Sequence, residues 1–279
     1  VDVYNRFWFY ISSIIYARWA LGPNRAYKEK IWLIDMKLEI NNISKSYGSV
    51  NVLENINILS DKKECIGIIG PNGAGKSTLF KIISGIIKQD NGLVEFNKKN
   101  INNYSVEQRS RLGISQSFQK NSLFLEMTVK ESLMLASSHK YKISFNLFKP
   151  LIANNLIIKN AIKIAKDIGL EDYLEVKSEF LAYGLQRQLE LGIAIACSPK
   201  LLLLDEPTAG MSPAETKDII KLIKKLSKDY SIIIVEHDME VIYNLANNIY
   251  VLDRGKLVFE GSPSAVKKSK LVQKIYLGI

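Results

Sequence analysis

The stretch that most limits how this chain can fold is Gly70 to Thr78, "GPNGAGKST", set between "ECIGIIG" and "LFKIISGII". A short apolar run that closes on glycine predicts a buried strand. The spacing of Leu79, Ile82, Ile83 and Ile86 then predicts a helix with one apolar face, opening near Lys76. Strand, glycine-rich turn and helix start in that order satisfy the pattern G-x-x-x-x-G-K-[ST] in the setting it requires. Gly70, Gly73 and Gly75 let the loop curl so that backbone N–H groups face an anion, and Pro71, Asn72, Ala74 and Thr78 complete the cradle. The helix start adds a partial positive charge. Lys76 is placed to reach the outer phosphates of a nucleotide, and the Ser77 hydroxyl to ligate Mg²⁺.

A second set of residues supplies what a phosphate loop lacks. In "LLLLDEP" a continuous apolar run meets acid, as in a buried parallel strand. Asp205 falls at its carboxyl end, where ligands gather in open α/β sheets, and can hold Mg²⁺ through water. Glu206 is placed to orient or deprotonate an attacking water. "SIIIVEHD" ends another buried strand and puts His237 on the same sheet edge, within reach of a γ-phosphate. Gln119 follows a strand-like run from Leu112 to Phe118; the residues alone leave its role open. "LAYGLQRQLELGIAIA", from Leu181 to Ala196, is a glycine-bearing turn running into an amphipathic helix. Such a start offers backbone N–H groups to an anion, far along the chain from the phosphate loop.

Around these motifs, alternating runs from Leu38 to Leu59 predict antiparallel strands, and residues 120–180 are mostly helical. "SVEQRSRLG" predicts a helix capped by Ser105 with Gln108. "NIYVLDRGKLVFEG" predicts a hairpin turning at Arg254-Gly255. Strands alternating with helices imply an α/β fold with a mainly parallel sheet covered on both faces. The 279 residues, 47% hydrophobic and 24% charged, suit one large or two modest globular domains. The net charge of +10 comes from dispersed lysines, which read as a solvated surface before they read as a binding patch for an anionic partner. Cys65 and Cys197 lie in apolar runs without metal spacing and read as small buried hydrophobes. The apolar stretch Phe7 to Ala17 is flanked by Arg6 and Arg18 and falls short of the roughly 18 residues a bilayer span needs. Residues 1–35 differ in texture from "MKLEINNISKSYG", which reads as the opening of a domain. They are expected to be an extension, not native or poorly ordered; the competing reading is an amphipathic anchor lying on a membrane.

A phosphate loop, a glutamine, a helical insert, "LAYG", "LLLLDEP" and "VEHD", in that order, resemble the ATP-binding-cassette (ABC) ATPases. The resemblance runs from Met36 onward. It implies a P-loop NTPase core with a mainly parallel sheet, an antiparallel β subdomain and an inserted α-helical subdomain. Residues 36–119 and 186–279 would form the core, and 120–185 the helical subdomain with the signature. It implies ATP and Mg²⁺ as cofactors. Tyr47 in "KSYG" matches the aromatic that stacks on adenine. Gln119 matches the switch glutamine that senses Mg²⁺ and water, Glu206 the catalytic base and His237 the switch histidine. Leu181, Ala182, Tyr183 and Gly184 match the signature, which caps the γ-phosphate held by a partner's phosphate loop. "AGMSP" (209–213) matches the segment that talks across the dimer.

Within the family the chain is most similar to ATP-binding subunits of branched-chain amino-acid importers, on "LAYG", "LFLEMTVKESL", "EPTAGMSP" and the ending "GSPSAVKKSKLVQKIYLG". That resemblance implies a second ATPase subunit, favouring a distinct one over a second copy, two transmembrane permeases, an extracytoplasmic substrate-binding protein, and a place on the cytoplasmic face of the membrane. Nucleic acid is not expected. Three departures from the family pattern stand out. Ala182 replaces a serine, Leu185 a glutamine, and Ser212 stands where many members carry aspartate. The alternative reading is a soluble ABC ATPase with a non-transport role such as nucleic-acid maintenance. It lacks the long coiled-coil insert or second cassette that such relatives carry. A third reading, an interaction module with a dead site, conflicts with the intact Lys76, Ser77, Asp205, Glu206 and His237.

Overall fold

The structure, a computed structural model, describes residues 37–61, 63–117, 123–140 and 155–277, with the side chains of 139, 140 and 277 outside the description. The extension 1–35, Gln119 and nearly all of the connection expected over residues 144–155 therefore lie outside the described residues.

The strands in chain order are β1 (Leu38–Tyr47), β2 (Val50–Ser60), β3 (Cys65–Ile69), β4 (Asn91–Phe96), β5 (Lys99–Asn100), β6 (Ile114–Gln116), β7 (Leu201–Asp205), β8 (Ser231–Val235), β9 (Asn248–Asp253) and β10 (Lys256–Gly261). The helices are α1 (Lys76–Ser84), α2 (Val106–Leu112), α3 (Val129–Lys140), α4 (Asn155–Asp167), α5 (Tyr183–Ala196), α6 (Pro213–Leu226), α7 (Met239–Leu245), α8 (Pro263–Lys268) and α9 (Lys270–Leu277). One sheet is antiparallel, in the order β2-β1-β4-β5. The other runs β10-β9-β3-β8-β7-β6 and is parallel except for the β9–β10 hairpin. That hairpin turns at Arg254 and Gly255, both left-handed at φ 45 and 78, as a two-residue turn matched to strand twist requires.

The parallel strands are buried on both faces, and their period of two sorts side chains into two cores. Ile66, Ile68, Leu201, Leu203, Ile233, Tyr250 and Leu252 join Leu79, Ile82 and Ile83 of α1 and the apolar face of the antiparallel sheet. Ile69, Leu202, Leu204, Ile232, Ile234 and Val251 face the other way, into a core built with helices α3 to α9. The Tyr250 hydroxyl donates to the Leu59 carbonyl at 3.1 Å and so ties one sheet to the other. Both cysteines are free; burial pushes the Cys65 thiol up to about 12 and the Cys197 thiol up to about 11. Neither is a nucleophile at neutral pH.

Two local expectations are corrected. The helix after the phosphate loop stops at Ser84, so Ile86 does not join its apolar face and is 50% exposed. Gly85, left-handed at φ 83, turns the chain there, and Arg109 takes the last carbonyls of α1. The run Leu112 to Phe118 is not one strand. Leu112 closes α2, Gly113 turns, and among the described residues of the run Ile114–Gln116 pair with β7. The Ser105–Gln108 capping box of α2 is present.

Candidate active site

The parallel sheet delivers the site residues to one edge. β3, β7 and β8 are parallel neighbours, so the ends of "ECIGIIG", "LLLLDEP" and "SIIIVEHD" emerge side by side. The phosphate loop follows β3. Gly75, the N-cap of α1, is left-handed at φ 100, and a Cβ there would stand 2.7 Å from the Val52 carbonyl oxygen, so this position tolerates no side chain. Asn72, Gly73 and Ser77 are exposed, Pro71 and Thr78 half-buried, and Gly70, Ala74 and Gly75 buried. Lys76 is only 5% exposed. Its ammonium donates to the carbonyls of Gly70 at 2.7 Å and Pro71 at 3.0 Å. Burial holds its pKa below the ordinary lysine value, against the opposing pull of the Glu206 and Asp205 charges.

Asp205 closes β7 at 8% exposure, and its Oδ1 is buried without a hydrogen-bond partner. Burial, reinforced by the Glu206 and Glu236 charges and partly offset by Lys81 and His237, raises its pKa to about 6. An orphaned carboxylate oxygen so placed is an acceptor suited to a hard cation. Glu206 adopts a left-handed backbone, φ 47, which costs a non-glycine residue on the order of 1–2 kcal/mol. Its N–H is fixed on the Val235 carbonyl at 2.8 Å, and its Oε1 meets His237 Nε2 at 2.8 Å. The two residues the sequence placed on one edge are thus in direct contact.

Glu236, which sequence reasoning passed over, lies under this pair. It is 3% exposed. Its Oε1 accepts from the Thr208 N–H at 2.9 Å and the Thr208 hydroxyl at 2.6 Å, and its Oε2 from the His237 N–H at 3.1 Å. The available signal was an acid ending a fully apolar strand.

Tyr47 ends β1 with its ring 52% exposed. The Lys45 ammonium sits 5.5 Å from the ring centroid and also pairs with Asp90 at 2.6 Å. Asp90 in turn accepts the Ser46 N–H at 2.7 Å, so the end of β1 is pinned from both sides.

The "LAYG" turn is differently arranged from the sequence expectation. Leu181 is buried at 6%, and Ala182 is the N-cap of α5 without a side-chain cap. Gly184 does not hold a free N–H. Glu215 Oε1 accepts it at 3.1 Å, while Glu215 Oε2 accepts from the Ser212 N–H at 2.9 Å and hydroxyl at 2.7 Å. Ser212, at the position where many relatives carry aspartate, is the N-cap of α6 in a capping box with Glu215. Leu185, in place of the usual glutamine, packs against the helical core. The Tyr183 hydroxyl donates to the Ala209 carbonyl at 3.0 Å and accepts from Arg187. Tyr183 and Gly184 of this turn are thus both bonded to the 209–215 segment of their own chain.

Residues 53–209 match the family model described as ABC transporter. The chain belongs to the ABC transporter ATPase family. It is 32% identical over 250 residues to the "High-affinity branched-chain amino acid transport ATP-binding protein LivG" of Salmonella typhimurium, an alignment covering 86% of this chain and 97% of that protein. It is 29% identical over 242 residues to the "Lipopolysaccharide export system ATP-binding protein LptB" of Haemophilus influenzae, with the same coverage, 86% and 97%. Among solved structures it resembles the ADP conformation of MJ1267, "an ATP-binding cassette of an ABC transporter", with a TM-score of 0.77 and 30% identity over 88% of this chain and 99% of that one. This ABC ATPase therefore has the expected fold, and its family's nucleotide is ATP, which the family hydrolyses. Among the described residues no helix is long and apolar enough to cross a membrane.

Proposed function

We propose that this chain is the ATP-hydrolysing motor subunit of an importer for branched-chain or related amino acids. In this reading it works on the cytoplasmic face of the membrane with two permeases, a second ATPase subunit and an extracytoplasmic binding protein. The observation that carries the hydrolytic part is the 2.8 Å contact between Glu206 and His237 beside the Lys76 loop. The likeness to LivG over most of both chains supports the cargo class, and the likeness to LptB, named for export of a lipopolysaccharide, marks where that support is thinner.

In the proposed cycle, Lys76 exchanges the Gly70 and Pro71 carbonyls for phosphate oxygens. Tyr47 offers its exposed face to adenine. Asp205 and Ser77, with Gln119 outside the described residues, would hold Mg²⁺, and the unpartnered Asp205 Oδ1 fits that role. When bound, the ion neutralises charge developing on the transferred phosphoryl group. Glu206 accepts a proton from the attacking water, and His237 holds Glu206 and faces the γ-phosphate. The Leu181–Gly184 turn meets the nucleotide of the partner subunit. ATP must favour the closed pair by several kcal/mol for closure to drive the permeases.

The experiment is co-expression with permeases and a binding protein of the proposed importer, followed by uptake of labelled leucine, isoleucine and valine. Uptake that depends on Lys76 and Glu206 supports the reading. Uptake unchanged by Lys76→Ala, or ATP-dependent export instead, overturns it.

A further inference from the structure

The Glu206–His237 contact bridges two loops on neighbouring strands. The Glu206 N–H on the Val235 carbonyl, at 2.8 Å, is the last backbone bond between the two strand ends, and Glu206 sits in an unfavourable left-handed conformation. A hydrogen bond between two partly solvated side chains, 24% and 46% exposed, does not hold such loops in register by itself. Something beneath must set their separation.

Glu236 is placed to do so. Its carboxylate is buried, and each oxygen serves a different loop. Oε1 takes both donors of Thr208, two residues after Glu206, and Oε2 takes the backbone N–H of His237 itself. Two donors thus meet Oε1 and one meets Oε2, one oxygen for each loop. The three bonds cross 28 residues of sequence on one side and one residue on the other, so they fix the β7 loop against the β8 loop at a distance set by the rigid carboxylate.

We infer that Glu236 is a positioning residue that sets the reach of the His237 ring to Glu206 by clamping Thr208 to the His237 backbone. Buried at 3% exposure, it acts through His237. The inference rests on the proposed roles of Glu206 and His237.

Glu236→Gln tests it with minimal change of shape. An amide offers one acceptor and one donor group. With its oxygen turned to the two Thr208 donors, its NH₂ faces the His237 N–H, and that half of the clamp is lost. In ATP turnover by the purified full chain, kcat falls about tenfold, the scale of a misplaced catalytic partner, while KM for ATP stays within about twofold. In a His237→Ala background the same substitution produces no further loss. A crystal structure of Glu236→Gln shows the His237 Nε2–Glu206 Oε1 separation lengthened beyond hydrogen-bond reach from 2.8 Å. Unchanged kcat, an equal loss in the His237→Ala background, or an unchanged separation overturns the inference. If Glu236→Gln does not fold, Thr208→Val carries the same kinetic and structural readouts, with a loss of about two- to threefold expected from one deleted hydrogen bond. Full turnover by His237→Ala alone overturns instead the proposed role of His237, which keeps the two failures apart.

Discussion

Glu215 accepts the Gly184 N–H at 3.1 Å, so the start of the signature helix α5 is capped by a carboxylate from α6 of the same chain. A Cβ on Gly184 would stand 2.9 Å from Glu215 Oε1 and 3.0 Å from its Cγ. A side chain at Gly184 would therefore have to displace the Glu215 carboxylate from its bonds to Gly184 and Ser212. Hydrogen bonds from the Ser212 N–H and hydroxyl and from the Gly184 N–H hold the Glu215 carboxyl below the ordinary glutamate range.

From this follows a double-mutant cycle read by urea denaturation. Gly184→Ala destabilises the parent protein although alanine is the better helix former. Glu215→Ala costs about 1 kcal/mol through loss of the α6 capping box. In the Glu215→Ala background Gly184→Ala becomes neutral or stabilising, because the obstructing side chain has gone. Additive losses would show that something else restricts Gly184.

Lys76 makes two charge-assisted bonds to its own loop, and the proposed ligand takes their place. A hydrogen bond from a charged group is worth about 1.5–3 kcal/mol. Lys76→Met is expected to weaken ATP binding about 10- to 100-fold by titration calorimetry. The melting temperature without nucleotide should fall as well, since the buried Gly70 carbonyl loses its donor.

Asp205 makes stability depend on pH in a predictable direction. Its folded pKa is raised from 3.8 to about 6, with burial the largest cause. Between those values the folded state binds more protons than the unfolded state, so stability falls as pH rises through this window. The penalty is complete above about pH 6 and absent below the unfolded value. Asp205→Asn is therefore more stable than the parent at pH 7.5 in EDTA, by roughly 2–6 °C in melting temperature, and the gap narrows as pH falls toward 4. A gap independent of pH would place the effect outside this carboxyl.

Arg109 predicts the largest loss of stability. It is 1% exposed and donates to four carbonyls: Ile82 at 2.6 Å, Ile83 at 2.8 Å, Ile101 at 2.8 Å and Tyr104 at 3.1 Å. Burial lowers its pKa only to about 10, so it stays charged at neutral pH and complements the C-terminus of α1. Lysine carries three donors on one atom and cannot span that fork. Arg109→Lys is expected to cost about 2–4 kcal/mol in urea denaturation, because buried acceptors lose their partners.

The legibility of the site follows sequence distance. The phosphate loop, the acids at the end of β7 and the histidine after β8 could be placed at strand ends from sequence, since each is defined by a strand end and its next few residues. Glu236 and Glu215 did not reveal their partners, which lie 28 and 31 residues away. An acid at a strand end and an acid in a helix's first turn are common and locally unremarkable. The helix after Lys76 was read too long because Ile86 continues the apolar spacing, while the turn at Gly85 is secured by Arg109 from another element.

Local order along the chain thus settled the α/β class, the two-sided burial of the parallel strands and the edge on which the reactive groups gather, because side-chain period and glycine geometry act over a few residues. Which donors those groups actually meet was decided only by tertiary packing. Whether the Gly184 N–H is open, and what sets the distance from His237 to Glu206, depend on carboxylates brought in by neighbouring elements, and a buried hydrogen bond is fixed by position in space rather than by separation in sequence.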